Sequence, residues 1–202
     1  NHNGSISLEK KIIKLAKSSG ANCVKFQSWT PDTLYNIKNL TDKNLKNDIF
    51  KYQTTKNQLK KFFDYSKSLK IDFSSSVFSK QEIDFVTSKL NVPFIKIASM
   101  DLNNIDLISY AAKKNKPLVI STGLSTLSEI DNAIKAIEEN KNNEIVILHC
   151  ISNYPPKDSE VNLKNIETLS KLYPYPVGFS DHSIGTAIPL AAIALGAKII
   201  EK

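Results

Sequence analysis

Apolar residues recur along this chain in two alternating patterns. Short, nearly continuous apolar runs read as buried parallel strands, and apolar positions three or four apart read as amphipathic helices. After a polar, turn-like start at Asn1-His2-Asn3-Gly4, the spacing of Leu8, Ile12, Leu15 and Ala16 predicts a helix stopped by Gly20. Cys23-Val24-Lys25-Phe26-Gln27 predicts a strand with Lys25 and Gln27 on one side. Residues 28 to 55 form a polar, aromatic-dotted connection, longer than βα loops usually are, which points to a functional or partly helical segment.

From there the alternation is regular. A helix through Leu59, Phe62, Phe63 and Leu69 leads to a strand over 71–76. Ser79-Lys80-Gln81-Glu82 has the capping-box pattern and opens a helix through Ile83, Val86 and Leu90. A strand over 93–97 ends at Ala98-Ser99, and a helix through Leu107, Ile108 and Ala111 follows. The next strand begins at Leu118 and ends at Ser121-Thr122-Gly123, where Thr126-Leu127-Ser128-Glu129 caps a helix with Ile130, Ile134 and Ile137. A strand over 145–150 ends near Asn153-Tyr154-Pro155-Pro156, and a helix around Leu163, Ile166 and Leu169 follows. Tyr175-Pro176-Val177 then leads to Gly178-Phe179-Ser180-Asp181-His182-Ser183 at a strand's carboxyl end. A helix over 187–195, stopped by Gly196, and a strand over 197–201 close the chain.

Seven short strands alternating with helices are odd for a doubly wound sheet and one short of a (β/α)8 barrel. The expected fold is therefore α/β: a truncated TIM barrel with strand one missing, residues 1–202 forming one partial barrel domain. No glycine-rich dinucleotide fingerprint or P-loop appears.

Composition narrows the function classes. The net charge is +7, and every basic residue is lysine. The lysines scatter over predicted helix surfaces without the arginine clusters that grip phosphate and guanine, so nucleic acid is not an expected partner. No apolar run approaches the roughly 20 residues a membrane helix needs. Cys23 and Cys150 both sit in apolar strands as buried free thiols would, from which a cytoplasmic location is inferred.

In a barrel the strands' carboxyl ends gather at the catalytic face. Here they carry Lys25 and Gln27; Ser75 and Ser76; Lys96 and Ser99; Ser121 and Thr122; His149, Asn153 and Tyr154; Ser180, Asp181 and His182; and Glu201. Two lysines among hydroxyl donors suit a small, multiply charged anion. Each residue alone has a plainer explanation. Ser75 or Ser121 can close a strand end, Lys25 can snorkel outward, Tyr154 can pack on Pro155, and His182 can hydrogen-bond across the strand end. Two lysines within apolar strands are harder to dismiss, since a buried lysine without an anion is costly. A neutral imidazole at His182 can also bind a divalent metal, with Asp181 or a neighbour orienting it.

Taken together, Asn1-His2-Asn3-Gly4, Val24-Lys25-Phe26-Gln27, Ile95-Lys96-Ile97-Ala98-Ser99, Ile120-Ser121-Thr122-Gly123, Leu148-His149-Cys150 with Tyr154-Pro155, Gly178-Phe179-Ser180-Asp181-His182 and Ile200-Glu201-Lys202 resemble the sialic acid synthases. That family comprises the phosphoenolpyruvate-dependent N-acetylneuraminate, legionaminate and pseudaminate synthases. The resemblance implies condensation of phosphoenolpyruvate with an open-chain N-acetylated hexosamine and water, giving a nine-carbon 2-keto acid and phosphate. It implies Lys25, Ser76, Lys96, Ser99, Ser121 and Ser180 as phosphoenolpyruvate contacts, and Gln27 and Tyr154 as sugar contacts. Ser75, Asn153 and Glu201 are placed among the substrate-binding residues, and Lys25, Lys96 and His182 are the catalytic candidates. A divalent ion, Mn2+ or Mg2+, is implied, with His182 one ligand and a second histidine expected one position beyond Lys202. Family dimers, in which a carboxy-terminal antifreeze-like domain closes the partner's site, imply a homodimer of the full-length protein; that domain is not in this sequence. Asn3 stands where some members carry a sugar-contacting Glu. The Gly4 opening fits legionaminate or N-acetylneuraminate synthases better than pseudaminate synthases. The competing readings are a synthase for another keto-deoxy sugar acid and a non-catalytic barrel.

Overall fold

The structure, a computed structural model, describes residues 4–202. The expectations for Asn1, His2 and Asn3 lie outside the described residues. Seven strands are present among these residues, and they follow one another in the sheet in chain order. The βα alternation is that of a truncated (β/α)8 barrel. The chain divides into two compact units between Ile95 and Lys96.

In the first unit, helix α1 (Ile6–Ser18) begins where Ser5 Oγ accepts the Leu8 N–H, and it buries Ile13. Strand β1 (Cys23–Ser28) follows. The segment over 28–55 proves partly helical, with α2 (Pro31–Leu34) and α3 (Lys43–Tyr52) inside it. Pro31 at a helix start costs nothing, because its missing N–H would have no partner there. Trp29 meets Tyr35 edge-on, with ring centroids 6.2 Å apart. Helix α4 (Lys56–Ser68) opens with a Thr55–Gln58 capping box and buries Leu59, Phe62 and Phe63. Strand β2 (Asp72–Val77) pairs parallel with β1, Lys25 opposite Ser74 and Gln27 opposite Ser76. Phe26 stacks on Phe62 and Phe73, and Phe63 meets Phe73 edge-on. Such aromatic pairs add roughly 0.5–1.5 kcal/mol each beyond their burial, which ties α4 to the two strands.

Helix α5 (Lys80–Asp84) departs from the expected capping box. Ser79 Oγ does accept the Glu82 N–H, at 3.3 Å. The Glu82 carboxylate, however, accepts from the Phe78 N–H at 2.7 Å and the Thr33 hydroxyl at 2.8 Å. Burial pushes the Glu82 carboxyl upward, opposed by these bonds and those from Ser79. The helix continues through a π turn, Phe85–Lys89.

Strand β3 (Ile95–Ile97) carries the division between the units. The second unit contains α6 (Ile105–Ala112), β4 (Leu118–Ser121), α7 (Leu127–Glu139), β5 (Ile145–Cys150), α8 (Lys164–Leu172), β6 (Val177–Ser180), α9 (Ala187–Ala194) and β7 (Ile200–Glu201). The Thr126–Glu129 capping box forms as the spacing predicts. Strands β4 to β7 pair parallel in order, which sets Ser121 opposite Leu148, Cys150 opposite Ser180 and Ser180 opposite Glu201.

Gly178 on β6 is a packing requirement. A Cβ there would lie 2.5 Å from the Ile199 carbonyl oxygen and 2.7 Å from a Leu148 methyl. The carbonyl belongs to the neighbouring backbone and cannot swing aside. Gly178→Ala is therefore expected to cost about 1–3 kcal/mol, as overpacking does. Equilibrium urea unfolding checks it, and an unchanged midpoint would show that β6 and β7 have room to part.

Candidate active site

The strand ends build two clusters, one in each unit. In the first, parallel pairing puts Lys25 and Gln27 on the same face as Ser74 and Ser76. Lys25 Nζ lies 3.4 Å from Ser76 Oγ. Lys25 is half-buried, Ser76 buried and Gln27 exposed. Ser75 is not brought to this face. It shares the other side of the sheet with Phe26, and its hydroxyl donates to the Ser76 carbonyl at 3.1 Å. Ser74, which does share the Lys25 face, donates to the Phe94 carbonyl at 2.7 Å.

In the second cluster, Lys96 is 2% exposed, and its ammonium donates to Ser121 Oγ at 2.6 Å and to the Ile97 carbonyl at 2.9 Å. Burying an ammonium is tolerable only with such acceptors close by. Ser99 Oγ, at the start of a 3-10 turn after β3, accepts the Gly123 N–H at 3.0 Å. A Cβ at Gly123 would meet Ser152 Oγ at 2.6 Å and both Cys150 Sγ and Ser99 Oγ at 3.0 Å, so those side chains would have to shift to admit one. Ser180 donates to Glu201 Oε1 at 2.9 Å, across the β6–β7 pairing.

His182 is half-buried beside these strand ends. Its Nδ1 sits 3.3 Å from the Ile151 carbonyl, so the Nδ1 hydrogen donates there and Nε2 keeps its lone pair. The ring of Tyr154 lies over the imidazole, centroids 4.4 Å apart, although Tyr154 is 70% exposed. Burial above all, then the electrostatic influence of Cys150 and Glu201, raises the Tyr154 phenol, which stays neutral. Asn153 faces away from this chemistry and holds a surface turn. Its amide donates to Glu160 at 3.0 Å, and its oxygen accepts the Tyr154 N–H.

Asp181, offered by the sequence as the group orienting the imidazole, is engaged elsewhere. Its carboxylate accepts from Lys202 Nζ at 2.5 Å and from the Ser183 N–H at 2.8 Å. Burial raises this carboxyl, but the bonds from Lys202 and Ser183 outweigh it and hold it below the usual aspartate value. Lys202 and Gly123 are not among the candidate site residues of the sequence, although both stand in its strand-end motifs.

The NeuB family matches residues 12–202. The chain belongs to the NeuB family. An N,N'-diacetyllegionaminic acid synthase from Legionella pneumophila is 38% identical to this NeuB-family chain, over 100% of it and 60% of the relative. A pseudaminic acid synthase from Campylobacter jejuni is 34% identical, over 100% and 62%. The crystal structure of the N-acetylneuraminic acid (sialic acid) synthetase from Leptospira borgpetersenii, in complex with citrate, matches with a TM-score of 0.93 and 33% identity. That match covers 100% of this chain and 69% of that one. This chain thus spans less than two thirds of the length of either curated relative.

The divalent ion implied by the resemblance to this family meets an incomplete donor set. His182 has the tautomer a metal-bound histidine needs, its other nitrogen donating to a carbonyl. Yet no group of three His, Cys, Asp or Glu side chains that could hold a metal exists among the described residues. One imidazole does not make a site, since catalytic ions are usually held by three protein ligands. Manganese titrated into the 202-residue chain, followed by the paramagnetic signal of the free ion, is expected to show no saturable site. A saturable site abolished by His182→Gln would overturn that.

His149 is 4% exposed, and its Nε2 donates to the Val161 carbonyl at 2.7 Å. Burial pushes it below the ordinary histidine value, partly opposed by that bond. The sign of the pH effect follows from this depression. Below about pH 6.5 the unfolded imidazole takes a proton that the folded one refuses, so stability falls on acidification. Unfolding midpoints measured from pH 7.5 to 5.5 are expected to drop, and His149→Gln to flatten the slope. Equal slopes would assign the loss to other groups.

Proposed function

We propose that this chain carries the barrel chemistry of a sialic acid synthase-type enzyme, which condenses phosphoenolpyruvate with an N-acetylated hexosamine. The observation that carries the reading is the buried Lys96 ammonium bonded to the Ser121 hydroxyl. A non-catalytic barrel has no use for an ammonium held dry at a strand end, whereas an anion-binding site does.

In this reading Lys96, Ser121, Ser99 and Ser180 receive the carboxylate and phosphate of phosphoenolpyruvate; Lys25 and Ser76 are proposed phosphoenolpyruvate contacts of the first unit. Carbon three of the enol attacks the aldehyde carbon, forming the new C–C bond while the enol carbon becomes an oxocarbenium centre. Water adds at that centre, the proton it loses is balanced by the one taken up by the former aldehyde oxygen, and the C–O bond to phosphate breaks, the hydroxyl proton leaving with the phosphate to give the 2-keto acid. The half-buried imidazole of His182, whose Nδ1 donates to the Ile151 carbonyl, presents its Nε2 as a ligand atom. Tyr154, a neutral phenol beside it, and Gln27 offer donors and acceptors for sugar hydroxyls. A divalent ion, when bound in the intact protein, would polarise the aldehyde; His182 is its proposed ligand from this chain. The relatives' names include legionaminic acid, pseudaminic acid and N-acetylneuraminate-9-phosphate synthases. The proposed aldehyde is accordingly an N-acetylated hexosamine or a diacetamido analogue. A homodimer and a cytoplasmic location are part of the same proposal. No helix among the described residues is long and apolar enough to cross a membrane.

Phosphate release by the intact protein, measured with phosphoenolpyruvate and a panel of N-acylated hexosamines, tests the reading. Lys96→Ala is expected to lower kcat/KM for phosphoenolpyruvate by roughly 10²–10³-fold, as loss of a charged donor does. Tyr154→Phe and Gln27→Ala are expected to raise the sugar KM alone. Wild-type kinetics in Lys96→Ala would sink the assignment.

A further inference from the structure

Lys202 bridges groups on either side of His182. Its ammonium donates to Asp181 Oδ2 at 2.5 Å and to the Ser183 carbonyl at 2.9 Å. The other Asp181 oxygen accepts the Ser183 N–H at 2.8 Å, and the Asp181 N–H donates to the Glu201 carbonyl at 2.7 Å. Residues 181 and 183 are thus both anchored, while the residue between them projects its imidazole toward Ile151 and Tyr154. The Asp181 side chain is fully buried, whereas Lys202 is 42% exposed, so the pair closes from the solvent side. Asp181 and Lys202 have no contact with the imidazole among the bonds described above. Whatever they do for His182 they do through the backbone.

We propose that the Asp181–Lys202 pair is a positioning device: it pins the backbone on both sides of His182 and so fixes which imidazole nitrogen faces the reacting groups. This deepens the synthase reading and rests on it for the role of His182, but not for the geometry. The physical reason is economy of freedom. A strand end followed by a loop has few backbone partners, and the Nδ1 bond to Ile151, at 3.3 Å, is long. A ring held by one long bond and a tyrosine face would otherwise exchange tautomers and rotate. The lysine adds two charge-assisted bonds to the segment that aims it. Indirect supports of this kind typically change activity by about 10–100-fold when removed.

The test separates positioning from plain stabilisation. In the intact protein, stripped of divalent ions with a chelator and carrying 15N-labelled histidine, the His182 signal is assigned by its loss in His182→Gln. Wild type is expected to show a single tautomer protonated at Nδ1. Lys202→Met is expected to move the signal toward a tautomer average and to lower kcat about 10–100-fold, with the phosphoenolpyruvate KM within about threefold. Lys202→Arg should restore both, because a guanidinium keeps the charge and the donors. Should Lys202→Met fail to fold, Asp181→Asn, which removes the charge and keeps the shape, is expected to give the same shift in the His182 signal. A folded Lys202→Met or Asp181→Asn protein with the wild-type His182 signal overturns the proposal, even if its melting temperature falls. A wild-type protein that never turns over phosphoenolpyruvate overturns the synthase reading instead, and the tautomer measurement still decides the positioning.

Discussion

The second unit depends on one costly act, the burial of the Lys96 ammonium. An amine taken out of water must find acceptors at fixed positions, or the strand carrying it would turn it outward. Ser121 at the end of β4 and the carbonyl of Ile97 supply them. For that to work, β3 and β4 must end at matching levels. Their ends are held by Ser99, which receives the Gly123 N–H, and by Thr122, whose N–H and hydroxyl both donate to the Leu148 carbonyl. The apolar residues around Lys96, Ile95 and Ile97 both fully buried, fix the strand. The lysine is the strained member of a well-packed set, as functional groups commonly are.

The groups around the strand ends of this unit divide by charge in a consistent way. His149 and Tyr154 are held neutral, chiefly by burial. Asp181 is held ionised, against its burial, by Lys202 and Ser183. The Asp181 carboxylate is therefore neutralised within its own pair.

Much of this was legible in the residues. Strand and helix order followed from runs and spacings, since a buried parallel strand leaves a continuous apolar trace and a helix its three-four rhythm. The family followed from motifs lying in order along nearly the whole chain. What escaped were facts of direction and partner choice. Ser75 and Ser76, adjacent in a strand, face opposite sides, and only the pairing of β2 with β1 shows which of them shares the Lys25 side. Glu82 sits where a capping carboxylate would, yet the Thr33 hydroxyl, 49 positions earlier, competes for it. The segment over 28–55 hid its helices because α2 is four residues long and α3 buries only Ile49. Asp181 looked like the partner of the histidine beside it, and its lysine comes from β7's far end.

Trp29 gives this molecule an optical property that its chemistry does not require. It is the sole tryptophan of the chain and sits directly after β1, two residues beyond Gln27, edge-on to Tyr35. Emission excited at the red edge of the absorption band therefore originates from one place, in the first unit, and the second unit is dark at that wavelength. Light from this protein reports on the segment following Lys25 and Gln27 without any label, and a change in its colour or lifetime marks an event there rather than an average over the fold.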